Sequence, residues 1–301
     1  LREKFLNELV RGYSYDIETI RRKTEYLGLN LETEHVRAIL IEIDNFSSDE
    51  AQFTEDDKNL LFFAVTNIIQ EVMEGKLKGL CFTGNDEIII LCNSQETNEV
   101  LQKIILDMQD CVKRYLKKTI SAGIGRTYES IEQIPKSFAE AKKALKYKIY
   151  TGEESIIFIE DILGNTEEPL MPDTLEKEKI LSYLLSDNDA ILHDAIDSIF
   201  ETYVEGKFKP LYYIDNLCLD ILFTVIKHVE KHVTGPGNLF EQDYFKNIFY
   251  CETLAAKKEC LINTIKNIKK SVGEEKSNSI KRLVAEIKDY LDNNCYDSNL
   301  S

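Results

Sequence analysis

Apolar residues recur at helical spacing over the first ten positions. Leu1, Phe5, Leu6, Leu9 and Val10 form one stripe, and Gly12 closes it. A second short helix is expected over 15–27, with Asp16 near its start and Gly28 at its end. The pattern then changes. Val36 to Ile43 is rich in β-branched and aliphatic residues and reads as a buried strand. Asp44 to Asp57 is polar and loop-like, and a well-buried helix is expected over 59–73. Strands over 78–83 and 87–92 flank Gly84-Asn85-Asp86, which signals a hairpin. Next comes a helix over 97–116 with Val100, Leu101, Ile104, Ile105, Met108, Cys111 and Val112 along one side. A strand of small residues over 119–124 follows. A helix over 134–150 is expected to bury Phe138, Ala141, Ala144 and Leu145, and 155–159 is a last strand.

The first six elements from residue 36 have the order of the split βαβ arrangement of ferredoxin-like folds. The expected class is α+β: a sheet with helices on one face, then a helical bundle. Composition shifts after Asp161, and Gly, Asn and two prolines within 164–173 mark a boundary. Beyond it the periodicity is helical throughout, with stripes beginning at Ile180 and Ile191. A long helix over 211–229 follows, then a break at Thr234-Gly-Pro-Gly-Asn238, and helices near 241–249 and 253–270. A final amphipathic helix is expected over 277–293. The expected segments are therefore 1–35, signalling helices; 36–163, the sheet domain; 174–275, the bundle; and 277–301, the start of a further domain.

Charge narrows the function classes. The net charge of −16 repels phosphate backbones and anionic membrane, so these residues alone are not expected to hold DNA. No run of 18 apolar residues is present, and no signal-peptide pattern opens the chain, so a cytoplasmic protein without membrane contact is expected. The seven cysteines include no CxxC pair, several sit in apolar runs, and they read as reduced core residues. The chain has no initiator Met and breaks off within a pattern at Leu300-Ser301, so a piece of a longer protein is expected.

Candidate chemistry is sparse. Glu42 and Asp44 at one strand end, with Asp86 and Glu87 at the hairpin, could bring carboxylates together around Mg²⁺ and a nucleotide triphosphate. The same residues also read as an ordinary turn with solvated acids. His228 and His232 lie one helical turn apart, a spacing that can bind zinc, but Val229 replaces the protease glutamate and no third ligand is evident. His35 and His193 are isolated. Gly123-Ile-Gly125 is too short for a phosphate loop. No catalytic residue, cofactor or metal is expected.

Several strings carry a family resemblance. Ile41-Glu-Ile-Asp-Asn-Phe46, Gly84-Asn-Asp-Glu-Ile88, Thr119-Ile-Ser-Ala-Gly-Ile-Gly125 and Glu140-Ala-Lys-Lys-Ala-Leu-Lys-Tyr147 resemble the GGDEF domain of diguanylate cyclases in degenerate form. The departures are Asn85 for the signature's second glycine, Glu42 for its first metal-binding aspartate, and no guanine-recognising Asn and Asp after Phe46. The resemblance thus implies the fold without the cyclase activity. Tyr290-Leu-Asp-Asn-Asn-Cys-Tyr296 and Leu300-Ser301 resemble the opening of an AraC-family helix-turn-helix domain. Leu1 to Gly12 resembles the segment after the receiver in YesN-type two-component response regulators. Together these imply the regulatory region between receiver and DNA-binding domain. They also imply a homodimer, with the 1–10 helix as first candidate contact, a sensor histidine kinase acting through a receiver, and DNA held by a C-terminal domain. The alternative is a nucleotide- or small-ligand-sensing domain of a stand-alone AraC-type regulator.

Overall fold

A computed structural model describes residues 1–13, 15–46, 54–84, 87–93, 96–163, 170–184, 186, 188–204, 208–232, 246–249, 251 and 253–271. The chain divides into two compact units, Leu1–Thr166 and Glu167–Ser301.

The first unit opens with α1 (Arg2–Val10) and α2 (Ile17–Tyr26), whose N-terminus is capped by Asp16 accepting from the Thr19 amide at 2.8 Å. β1 (Val36–Ile43), α3 (Glu55–Met73), β2 (Gly79–Gly84), β3 (Glu87–Asn93), α4 (Asn98–Leu116), β4 (Ile120–Ile124), α5 (Ile134–Lys146), α6 (Lys148–Thr151), β5 (Ile156–Phe158) and α7 (Ile159–Leu163) follow. The strands form one sheet in the order β2-β3-β1-β4-β5. β1 runs antiparallel to β3 and β4, β2 antiparallel to β3, and β5 parallel to β4. The first four strands have the ferredoxin-like order, as their sequence implies.

Alternation along β1 sends its residues to opposite layers. Ile39, Ile41 and Ile43 join Ile88, Ile90 and Cys92 of β3 under α3 and α4. Ala38 and Leu40 join Leu80, Phe82, Ile89 and Leu91 under α1, α2 and α5. Helices thus cover both faces of the sheet, where one covered face was expected. The strands are apolar on both sides, the mark of a sheet buried twice.

This second layer corrects the expectation for 1–10. Phe5, Leu6, Leu9 and Val10 are buried against the chain's own sheet, so the stripe offered as a dimer contact is already covered. α3 also differs from its expectation. It begins four residues before 59 because Thr54 and Asp57 form a reciprocal capping box, which extends the helix into the acidic segment. Only Val65, Ile69 and Met73 are fully buried in it, while Leu60 and Phe63 are 66% and 62% exposed.

The close fit of α5 explains the small residues of β4. A side chain at Gly123 would collide with the Ala141 carbonyl, and one at Gly125 with the Ser137 carbonyl. Ser137 then bridges two strand ends, accepting from the Ala38 amide at 2.9 Å and donating to the Arg126 carbonyl at 2.7 Å.

The second unit contains α8 (Thr174–Tyr183), α9 (Asp189–Tyr203), α10 (Leu211–His232), α11 (Lys246–Phe249) and α12 over 254–271. No strand occurs among its described residues. Asp173 and Glu176 cap α8 reciprocally. Buried apolar residues of α9 and α10, among them Leu192, Ile196, Phe200, Leu217, Ile221 and Val225, form its interior with Leu261 and Ile265 of α12. The break at 234–238 and the expected helix and AraC-like string within 277–301 lie outside the described residues.

Candidate functional site

The carboxylates of the β1 end are held by a lysine. Asp44 follows Ile43 at the end of the strand and its side chain is 0% exposed. It accepts from Ser121 Oγ at 2.7 Å and from the Glu154 amide at 3.0 Å. Lys148 Nζ lies 2.7 Å from Asp44 Oδ1 and 2.6 Å from Glu42 Oε1, with only 9% of its side chain exposed. Lys148 stands here because α5 packs on β4 and delivers its C-terminal end to the end of β1. Burial opposes the charge of Lys148, but the hydrogen bonds to Asp44 and Glu42 outweigh it and hold its pKa above the ordinary lysine value. A buried carboxylate is costly unless paired and hydrogen-bonded, and Asp44 meets both conditions within the chain.

Glu87 takes a different partner. The register that pairs Ile41 with Ile88 places Glu42 and Glu87 as the next neighbours along β1 and β3. Yet Glu87 Oε1 lies 2.5 Å from Lys142 Nζ of α5, and its Oε2 is 3.8 Å from Arg11 Nη2. Asp86 and Asn85 lie outside the described residues. Of the four acids offered by the sequence, the structure therefore brings Glu42 and Asp44 onto one lysine and Glu87 onto another. Among the described residues, no group of three or more His, Cys, Asp and Glu side chains is placed to hold a metal ion. Lys148 was missed by the sequence reading: it is 104 positions beyond Asp44, and only the tertiary packing of α5 connects them.

The remaining candidates lie apart. His228 is partly buried on α10, and the side chain of His232 lies outside the described residues. His193 Nε2 is 3.2 Å from Lys266 Nζ, and His35 Nδ1 is 3.6 Å from Glu129. The six described cysteines are free thiols, with Cys81, Cys92 and Cys218 buried. Burial pushes Cys81 well up and Cys92 up to about 12, so both stay protonated core residues. Cys295 lies outside the described residues.

Residues 11–147 match the family described as the GGDEF-like domain. The first unit has a GGDEF-like fold over those residues, and the chain combines it with helices in an α+β fold. The chain is also similar to the uncharacterized HTH-type transcriptional regulator YtdP of Bacillus subtilis (strain 168). That similarity is 26% identity over 209 residues, covering 66% of this chain and 27% of the relative. The chain thus spans about a quarter of that protein's length. Among solved structures, it is similar to the active GGEEF domain of a diguanylate cyclase from Vibrio cholerae at 17% identity and a TM-score of 0.35, over 46% of this chain and 88% of that one. It is likewise similar to the GGDEF domain of DgcB from Caulobacter crescentus, solved with c-di-GMP, at 17% identity and a TM-score of 0.36, over 53% and 90% of the two chains. No helix among the described residues is long and apolar enough to cross a membrane.

Proposed function

We propose that this chain is a non-catalytic regulatory segment of a DNA-binding transcriptional regulator, with its GGDEF-like domain kept as a scaffold. The carrying observation is the pairing of Lys148 with both Glu42 and Asp44. An ammonium already bonded to two carboxylates competes directly with a divalent cation for them. The third acid, Glu87, is neutralised elsewhere by Lys142. A nucleotide triphosphate is hard to hold without a metal to offset its charge, in a chain whose own net charge is −16. The similarity to an HTH-type regulator supports the regulatory half of the reading.

In its finer form, the segment relays phosphorylation of an upstream receiver to a DNA-binding domain of the AraC family. A sensor histidine kinase and DNA are then partners of the longer protein, which acts as a homodimer in the cytoplasm. The resemblance of Leu1 to Gly12 and of Tyr290 to Ser301 to such regulators supports this form.

Calorimetric titration with GTP and with cyclic di-GMP, each with Mg²⁺, tests the scaffold reading. No heat is expected from either. Micromolar binding of either nucleotide that is lost in Glu42→Gln would overturn it and make the acidic pair a working site.

A further inference from the structure

A cleft of about 370 Å³ opens between α2 and the turn that leads into β1. Arg21, Thr24 and Glu25 line it from α2, and Leu31, Glu32 and Glu34 line it from the turn. The helical wall follows from spacing, because residues three and four apart share one face of a helix. The opposite wall is pinned from behind. Asn93 of β3 accepts from the Glu32 amide at 2.8 Å and donates to the carbonyls of Glu32 and Glu34 at 3.1 and 2.7 Å. The Thr33 carbonyl accepts from the Ile131 amide at 2.9 Å. The cleft is thus preformed, at the small end of the range of about 300–1,000 Å³ typical of ligand sites.

The charges that line it are not balanced within the chain. Glu32 is matched by Lys78. Arg21, Glu25 and Glu34 instead make no ion pair or hydrogen bond through their side chains among the described residues. One cation and two carboxylates therefore border the same space unpaired. Thr24 is buried, and its hydroxyl proton is committed to the Ile20 carbonyl at 2.8 Å, so it can offer the cleft only an acceptor. Buried Leu31 adds an apolar patch.

We propose that this cleft binds a free basic α-amino acid. Such a molecule carries one carboxylate and two cationic groups, the complement of Arg21 with Glu25 and Glu34. The Arg21 guanidinium takes the carboxylate as a bidentate pair. Glu25 and Glu34 accept from the α-ammonium and from the side-chain cation, and the methylene stem lies on Leu31. A neutral or acidic amino acid leaves a carboxylate of the cleft unmatched, which selects against it. The bound molecule joins α2 to the entry of β1 and restrains the helix against the sheet. No residue is shared with the cluster of Glu42, Asp44 and Lys148, so this site and the scaffold reading stand or fall separately.

Calorimetric titration of the full chain at low salt, with L-arginine, L-lysine and L-ornithine in turn, tests the proposal. At least one should bind and saturate at one molecule per chain, while L-glutamine and L-glutamate give no heat. Agmatine, which is arginine without its carboxylate, should bind about tenfold more weakly or worse than L-arginine, if arginine is the amino acid bound. Glu34→Gln and Arg21→Met should each weaken binding by about the same factor. Both side chains are exposed, so the fold should tolerate either change. Saturating ligand should also slow amide exchange in 21–25 and 31–34 of the unsubstituted chain. No heat from any of the three basic amino acids, equal binding of L-glutamine, agmatine binding as tightly as L-arginine, or an affinity unchanged in Glu34→Gln would each overturn the proposal.

Discussion

Lys148 carries the largest single-residue consequence in the first unit. Replacing it with Met leaves Asp44, fully buried, with its hydroxyl and amide donors but no counter-charge. Breaking a buried ion pair from one side costs about 3–5 kcal/mol, so Lys148→Met should lower the urea-unfolding free energy by about 3 kcal/mol. The alkaline limb provides a second readout. The folded pKa of Lys148 is raised, so its contribution is complete below the unfolded value of about 10.4 and fades as pH climbs through the folded one. Urea unfolding above pH 10 should therefore weaken the unsubstituted chain more than Lys148→Met. Equal slopes would show that Lys148 is not titrating in the pair. Little of this was legible beforehand. Glu42 and Asp44 stand out in the sequence as strand-end acids, but their cation comes from a helix end 106 and 104 positions away, and no local pattern encodes that distance. The glycines of β4 were readable as small residues, and the reason for them appears only with α5 in place. Gly123→Ala drives a methyl into the Ala141 carbonyl and should cost about 3 kcal/mol or more, measured in the same urea experiment.

At the scale of elements, periodicity located the strands and helices from 36 to 159 well, because each combines a clear apolar period with a turn signal at its ends. The start of α3 escaped because three consecutive acids, Glu55, Asp56 and Asp57, look like loop, although acids in a first turn complement the helix dipole. Thr54→Ala removes the side-chain half of that cap and should cost about 1 kcal/mol. The partner of α1 was also illegible. An amphipathic helix announces that its stripe is covered but not by what, and here the cover is the second face of the sheet. Leu6 is 0% exposed there, so Leu6→Ala should cost about 2–5 kcal/mol. Its thermal unfolding should shift down while light scattering on the folded chain gives an unchanged mass. A change of mass with the substitution would return α1 to the role of an intermolecular contact.

For the molecule as a whole, the pattern shifts from strand-forming to purely helical near 164–173, and the chain divides into the compact units Leu1–Thr166 and Glu167–Ser301. The two core clusters of the first unit draw on residues from Phe5 to Phe158 and on none beyond. Their members come from every strand and from α1 to α5, and the sheet is covered on both sides by residues of the same unit. A body that supplies its own core on both faces satisfies the requirement for folding alone. Residues 1–163 should accordingly unfold in urea as one cooperative transition, and Lys148→Met should lower its midpoint as it does in the whole chain. The acidic pair, its lysine and the packing that joins them all lie within that fragment. A fragment that melts without cooperativity would mean that the second unit completes the core of the first. The scaffold would then include the helical bundle, and a signal passing along the chain would have no separate domain to cross.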